Sequence, residues 1–168
     1  MADASICIGW VLPHEAGTPP NYAVTADNKG QVCAGVNSLA FPDDFAAIAA
    51  LPITERPDAV NAFYQRTYWS QWMAALTSNA IAAYSLDAEV NEGQRIGIDI
   101  LQEGIDACGG SVVVDGRLGT LTETAANAIE PTILLPAIQT ARKAAYRRIG
   151  GPNLEAWLTR ADLTPPFA

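Results

Sequence analysis

Positive charge is scarce in this chain: ten Lys and Arg stand against eighteen Asp and Glu, giving a net charge of −8 and a pI near 4.4. A surface that tracks phosphates needs clustered basic residues, so nucleic acid is not an expected partner, and acidic partners in general are disfavoured. Histidine occurs once and cysteine three times. Cys7, Cys33 and Cys108 are widely spaced and odd in number, which gives neither a disulfide framework nor zinc-ligand spacing and fits synthesis in a reducing compartment. No apolar run is long enough to span a membrane, and the N-terminus lacks a basic segment followed by an apolar one. The expectation is a protein made in the cytoplasm without a signal peptide and without membrane insertion. Charged residues are only 17% of the 168, whereas hydrophobic ones are 49%, ample for a single packed domain and contrary to disorder. Internal repeats and low-complexity segments are absent.

What is present reads as mostly helix. Residues 4 to 16 carry Ile6 and Trp10 four apart, although Pro13 is expected to kink or end that helix before Glu15. From Gly17 to about Asp44, turn formers dominate and the chain is expected to be irregular or to carry small strands. A short helix is read over 43 to 50. A strongly aromatic helix, N-capped by Thr54, then carries Val60, Phe63, Tyr64, Tyr68, Trp72, Met73 and Leu76. Residues 78 to 91 are apolar nearly all round and predict a buried helix. After Gly93, the residues Ile98, Leu101, Ile105 and Cys108 define another, stopped by Gly109 and Gly110. Val112 to Val114 with Asp115-Gly116 read as a turn inside an extended excursion. Thr120 and Glu123 form a capping box, Pro131 to Ile149 a long helix kinked or restarted at Pro136, and Asn153 the cap of a last helix. The Pro165-Pro166 tail is expected to fray. Asp87, Glu89 and Glu92 are read as solvated or capping residues, with no metal site. Arg142, Lys143, Arg147 and Arg148 are read as a solvated basic strip near a helix end.

The stretch from Val11 to Asn37 holds the polar residues no core would require. Glu15 follows Ile6, Ile8, Trp10, Val11 and Leu12, so its carboxyl emerges beside a packed wall, where desolvation favours the protonated form that a general acid uses. The plain alternative is an exposed glutamate at a helix end. Asp27, Gly30, Gly35 and Asn37 follow on a loop able to present backbone and short polar groups. His14 is read as a base or, more simply, as a hydrogen-bonding structural residue. Cys33 lacks a partner histidine and is not expected to act as a nucleophile.

In sequence order, His14-Glu15-Ala16-Gly17, Asp27-Asn28-Lys29-Gly30 and Gly35-Val36-Asn37 resemble the signature of glycoside hydrolase family 108, the N-acetylmuramidases of phage endolysins and toxin-secretion systems. Tyr68-Trp69 is similar to that family's Tyr-Trp pair. Leu86 to Gly93, Leu101-Gln102, Val114 to Gly119 with Thr122, and Trp157 to Arg160 resemble marks of its predicted peptidoglycan-binding half. The pattern departs at Ala16, at Pro19-Pro20-Asn21 before Tyr22, at Asn28-Lys29 and at Asn37, where the family has threonine.

The resemblance implies a lysozyme-like, mostly α domain with a small irregular or β-containing N-terminal segment. Residues 1–70 would form the catalytic segment and 71–168 the wall-binding half, together one compact structural unit. It implies cleavage of the β-1,4 bond between N-acetylmuramic acid and N-acetylglucosamine, with Glu15 as general acid and Asp27 and Asn37 assisting. Tyr22, Gly35, Tyr68, Trp69 and Asn91 would contact substrate. No metal or organic cofactor is implied. The partner would be the glycan strands of peptidoglycan, reached in the periplasm after release through a holin or a secretion system, and the protein would act as a monomer. Two alternatives stand beside this: a non-catalytic wall-binding or phage structural module, and a lytic transglycosylase.

Overall fold

The computed structural model describes residues 1–27 and 30–167, with Asp27 described in its backbone only. The architecture is mostly α with a small antiparallel sheet. In chain order the described elements are α1 (Ala4–Ala16), β1 (Thr25–Asp27), β2 (Gly30–Cys33), β3 (Val36–Asn37), α2 (Pro42–Ala49), α3 (Arg56–Tyr68), α4 (Gln71–Ala75), α5 (Asn79–Glu92), α6 (Gln94–Ala107), α7 (Thr120–Asn127), α8 (Pro131–Ile149) and α9 (Leu154–Ala161). They form two compact units, Ile8–Trp69 and Met1–Cys7 with Ser70–Ala168.

In the Ile8–Trp69 unit, α1 continues through Pro13 to Ala16 and so carries Glu15 within its last turn. The ring removes a hydrogen bond to Gly9 and crowds that residue's carbonyl; without a Cβ, Gly9 has the freedom to shift. The buried face is Ile8, Val11, Leu12 and Ala16, while Ile6, expected inside, is 42% exposed. The region read as irregular holds the sheet, in the order β1-β2-β3. Thr25 pairs with Val32 and Cys33 with Val36. Strands this short leave too little alternation to be recognised by period.

Arg56 fastens the next turn. Its guanidinium donates to Ala49 O (2.9 Å) at the end of α2, to Leu51 O (3.1 Å) just beyond it, and to Tyr22 O (3.0 Å). Cationic donors suit a helix C-terminus because the carbonyls there are otherwise unpaired. The aromatic helix expected to run on to Leu76 stops at Tyr68. Trp69 is extended (φ −85°, ψ 93°), and Ser70 Oγ accepts from Met73 N to begin α4. A serine side chain offers the backbone this alternative to a continuing helical ladder, and apolar periodicity alone does not reveal it. The expected cap at Thr54 is not formed; the N-cap position falls on Glu55, without a side-chain bond.

In the other unit, α5 is buried on every side from Ala80 to Glu89. Small residues permit this: a methyl group built on Gly97 of α6 would strike the Glu89 backbone, and one on Gly104 would strike Ile138 of α8. The helices pack at backbone distance. Asp87, Glu89 and Glu92, expected in solvent, are instead buried. So is Arg142, which is fully enclosed, whereas Arg147 and Arg148 of the same strip are exposed.

Arg142 donates to Asp87 Oδ2 (2.7 Å) and Glu92 Oε1 (3.0 Å), and Arg160 donates to Asp87 Oδ1 (2.8 Å). The rings of Tyr84 and Tyr146 flank the Arg142 guanidinium at 5.2 and 5.5 Å. Burial opposes the charge on Arg142, but Asp87 and then Glu92 outweigh it and hold the group protonated. Tyr84 donates to Ala161 O (2.6 Å), which ties α9 to α5, and burial pushes its phenol up to about 12. Partners fifty and more residues away turn charges that read as surface into a packed core. The proline at 136 does not interrupt α8. Glu123 binds Asn127 (2.6 Å) rather than forming the expected capping box, whose N-cap position falls on Gly119. The tail is tied by Gln139, which donates to Leu163 O (3.1 Å), and Pro165 is buried.

Among the described residues, no ion pair engages Glu89. Burial pushes its carboxyl from the ordinary 4.5 up to about 8, so the folded protein keeps a proton there that the unfolded chain releases. Stability from this group is therefore full below pH 4.5 and is lost as pH rises through 8, at up to about 1.4 kcal/mol per pH unit. Glu89→Gln is expected to flatten that slope and to be the more stable protein at pH 8. Urea denaturation of both proteins from pH 5 to 9 checks this, and parallel curves would contradict it.

Candidate functional site

The Ile8–Trp69 unit gathers the polar residues singled out in the sequence. Glu15 lies on α1 four residues after Val11 and three after Leu12, so helical spacing sets it at the end of the buried stripe, and it is half-buried. His14 lies edge-on to Trp10 with ring centroids 4.8 Å apart.

Opposite Glu15 is the turn between β2 and β3. Cys33 pairs with Val36, leaving Ala34 and Gly35 as a two-residue loop with φ of 46° and 81°. Positive φ at both positions is what a type I′ hairpin turn requires, and glycine adopts it freely. Alanine does not; the left-handed conformation costs about 1–2 kcal/mol, and local strain of this kind is held where surroundings enforce it. Here Tyr64 does so. Its buried hydroxyl donates to Ala34 O at 3.2 Å from α3.

A methyl group built on Gly35 would fall onto the Tyr64 hydroxyl and lie 3.1 Å from Glu15 Oε2 and 3.2 Å from Glu15 Cβ. The glycine therefore lets a backbone turn, a phenol and a carboxyl approach one another at contact distance. Gly35→Ala is expected to cost about 2 kcal/mol from the left-handed backbone and the lost clearance. A shift in the denaturation midpoint measures it; an unchanged midpoint would mean the turn can relax without cost.

Asn37 follows on β3. Its Oδ1 accepts from Leu39 N (2.8 Å) and Ala40 N (3.3 Å), and its carbonyl accepts from Phe41 N (2.9 Å), so it sets the turn leading into α2. Asp27 ends β1 opposite Gly30; its side chain, with Asn28 and Lys29, lies outside the described residues. Tyr22 is half-buried and its carbonyl takes bonds from Arg56 and from Cys33 Sγ (3.3 Å). Burial raises the Tyr22 phenol, with Cys33 adding to the effect, and burial also raises the Cys33 thiol, which is unsuited to nucleophilic attack. Tyr68, half-buried, belongs to an aromatic cluster with Phe41, Phe63 and Tyr64, its ring centroid 5.6 Å from that of Tyr64. Trp69 is half-buried at the end of α3.

Asn91 belongs to the other unit, where its amide donates to Tyr146 Oη (2.6 Å) and Glu92 Oε1 (3.2 Å) beside the Arg142 network. Among the described residues, no group of three His, Cys, Asp or Glu is placed to hold a metal ion, and no helix is long and apolar enough to cross a membrane. The contribution of Tyr64 is hidden in the sequence, where the residue reads as one more member of an apolar stripe. The only trace is the Ala-Gly pair, which marks a tight turn without showing what reaches it.

No family model matches the sequence, and no curated protein matches it. Among solved structures the chain is similar to Brucella abortus SagA, with a TM-score of 0.68 over 94% of this chain and 88% of that one, at 19% sequence identity. The likeness is one of fold. It extends over nearly the whole chain.

Proposed function

We propose that this protein is a peptidoglycan hydrolase of the N-acetylmuramidase type, with Glu15 as general acid. The observation that carries the reading is the Glu15 carboxyl, half-buried and in contact with the strained Ala34-Gly35 turn that Tyr64 pins. A carboxyl fixed by packing at a shaped turn is suited to giving its proton to a glycosidic oxygen as the bond breaks. The resemblance of the surrounding residues to glycoside hydrolase family 108 supplies the substrate, the β-1,4 bond from N-acetylmuramic acid to N-acetylglucosamine.

In this reading Asp27 is the second carboxylate, stabilising the oxocarbenium-like transition state or orienting water. Asn37, at the turn into α2, assists with water or charge, and Tyr22, Gly35, Tyr68 and Trp69 shape the sugar site. Asn91 serves the wall-binding half. The protein works as a monomer on glycan strands in the periplasm, delivered by a holin or a secretion system.

The test is digestion of purified peptidoglycan by the wild-type protein, with mass spectrometry of the soluble fragments. New reducing N-acetylmuramic acid ends are expected; reducing N-acetylglucosamine would move the cut to the other bond. One observation favours a second reading, a non-catalytic wall-binding module: the residues resembling the binding half, Gln102, Asp115, Gly116 and Thr122, converge in one hydrogen-bonded clasp. Co-sedimentation with the wall and no released fragments would select it.

A further inference from the structure

The segment from Val112 to Gly119 has no regular structure, yet one buried side chain holds it in place. Gln102 of α6, 1% exposed, accepts through Oε1 from Asp115 N and Gly116 N, both at 3.0 Å. Through Nε2 it donates to Asp115 Oδ1 (3.0 Å), Arg117 O (3.2 Å) and Thr122 Oγ1 (3.1 Å). A loop so tied has already lost the freedom that binding would otherwise remove.

The clasp supports a groove of about 360 Å³, within the range of small-ligand sites. Its apolar wall is Val112, Val113 and Leu121, of which Val113 is 76% and Leu121 82% exposed. Val113 on the fixed loop and Leu121 in the first turn of α7 thus line one groove with exposed aliphatic surface. The polar lining includes Asp115 and Arg117, one of each charge. The Gln102 bond and the Arg117 amide hold the Asp115 carboxyl below its usual range. Among the described residues, no ion pair engages Arg117. No aromatic side chain lines the groove, so a platform for sugar faces is missing.

We propose that this groove binds the peptide stems of peptidoglycan rather than its glycan. A short peptide of this kind offers a free carboxylate to Arg117, an ammonium group to Asp115 and alanine-sized side chains to the valine and leucine wall. The inference rests on the wall being the substrate, but it concerns a different site from Glu15 and a different part of the polymer. It would give the protein a hold on the wall that is independent of cleavage.

The experiment titrates a sugar-free tetrapeptide, L-Ala-γ-D-Glu-meso-diaminopimelate-D-Ala, onto the 168-residue chain, followed by NMR. Saturable shifts at Val113 and Leu121 are expected, with affinity at least tenfold weaker in Arg117→Glu and an unchanged melting curve. Arg117 is exposed, so that variant is expected to fold. Failure of the peptide to bind, equal binding by Arg117→Glu, or shifts of these residues by a chitin oligosaccharide instead would each overturn the proposal. The peptide has no glycosidic bond, so the titration is blind to hydrolysis. A protein that cuts the wall yet ignores the peptide contradicts this inference alone, and one that binds the peptide without cutting contradicts only the muramidase reading.

Discussion

Arg142→Met is expected to lower the unfolding free energy by about 3–5 kcal/mol, the range for removing one partner from a buried charge pair. Methionine fills much of the same space, so the loss comes from charges left behind and not from a cavity. Glu92 would lose its only cationic partner among the described residues while remaining enclosed; its second oxygen already lacks a hydrogen bond there. Asp87 would keep Arg160. In a chain of this length the effect corresponds to a fall in melting temperature of about 10 °C. Arg160→Met should cost less, because its side chain is 17% exposed and Asp87 would keep the fully buried Arg142. Thermal melts of the two variants give the comparison. Equal and small losses would mean that water reaches the network and screens it.

Glu15→Gln is expected to reduce the rate of peptidoglycan cleavage by roughly 10²–10⁴-fold, the usual contribution of a positioned general acid. Glutamine keeps the shape of the side chain but has no proton of comparable acidity to give. The contacts with the Gly35 turn should therefore survive, and the variant should show a cooperative melt like that of the wild type. Rate and melting together separate chemistry from folding. A variant that is inactive because it is unfolded says nothing of the acid, whereas an active, folded variant removes Glu15 from the mechanism.

Helices were legible wherever apolar spacing and glycine stops agreed, as in α5 and α6 around Gly93. The sheet was less so, because β3 is two residues long and β2 four. The division of the aromatic helix at Trp69 was hidden for a different reason. Tyr68, Trp72, Met73 and Leu76 continue the period across the break, and what decides the ending is a local bond from Ser70. Burial of charge was the least legible. Residues 78 to 91 read as a buried helix, yet Asp87, Glu89 and Glu92 still read as solvated, since Arg142 and Arg160, the cations that make Asp87 and Glu92 tolerable inside, arrive from α8 and α9. In the candidate site, Glu15 and Gly35 stood out as polar and glycine positions after an apolar run. Tyr64 did not, because its role depends on a turn thirty residues earlier in the chain.

In the proposed reaction the protein breaks a glycosidic bond by adding water at a muramic acid carbon, with Glu15 supplying the proton. Digestion of peptidoglycan in oxygen-labelled water, read by mass spectrometry of the fragment ends, tests it most directly. Wild-type protein should yield reducing N-acetylmuramic acid carrying one labelled oxygen per cut, and Glu15→Gln should yield almost none. Anhydro-muramic ends without label, or the same labelled ends from both proteins, would contradict the account.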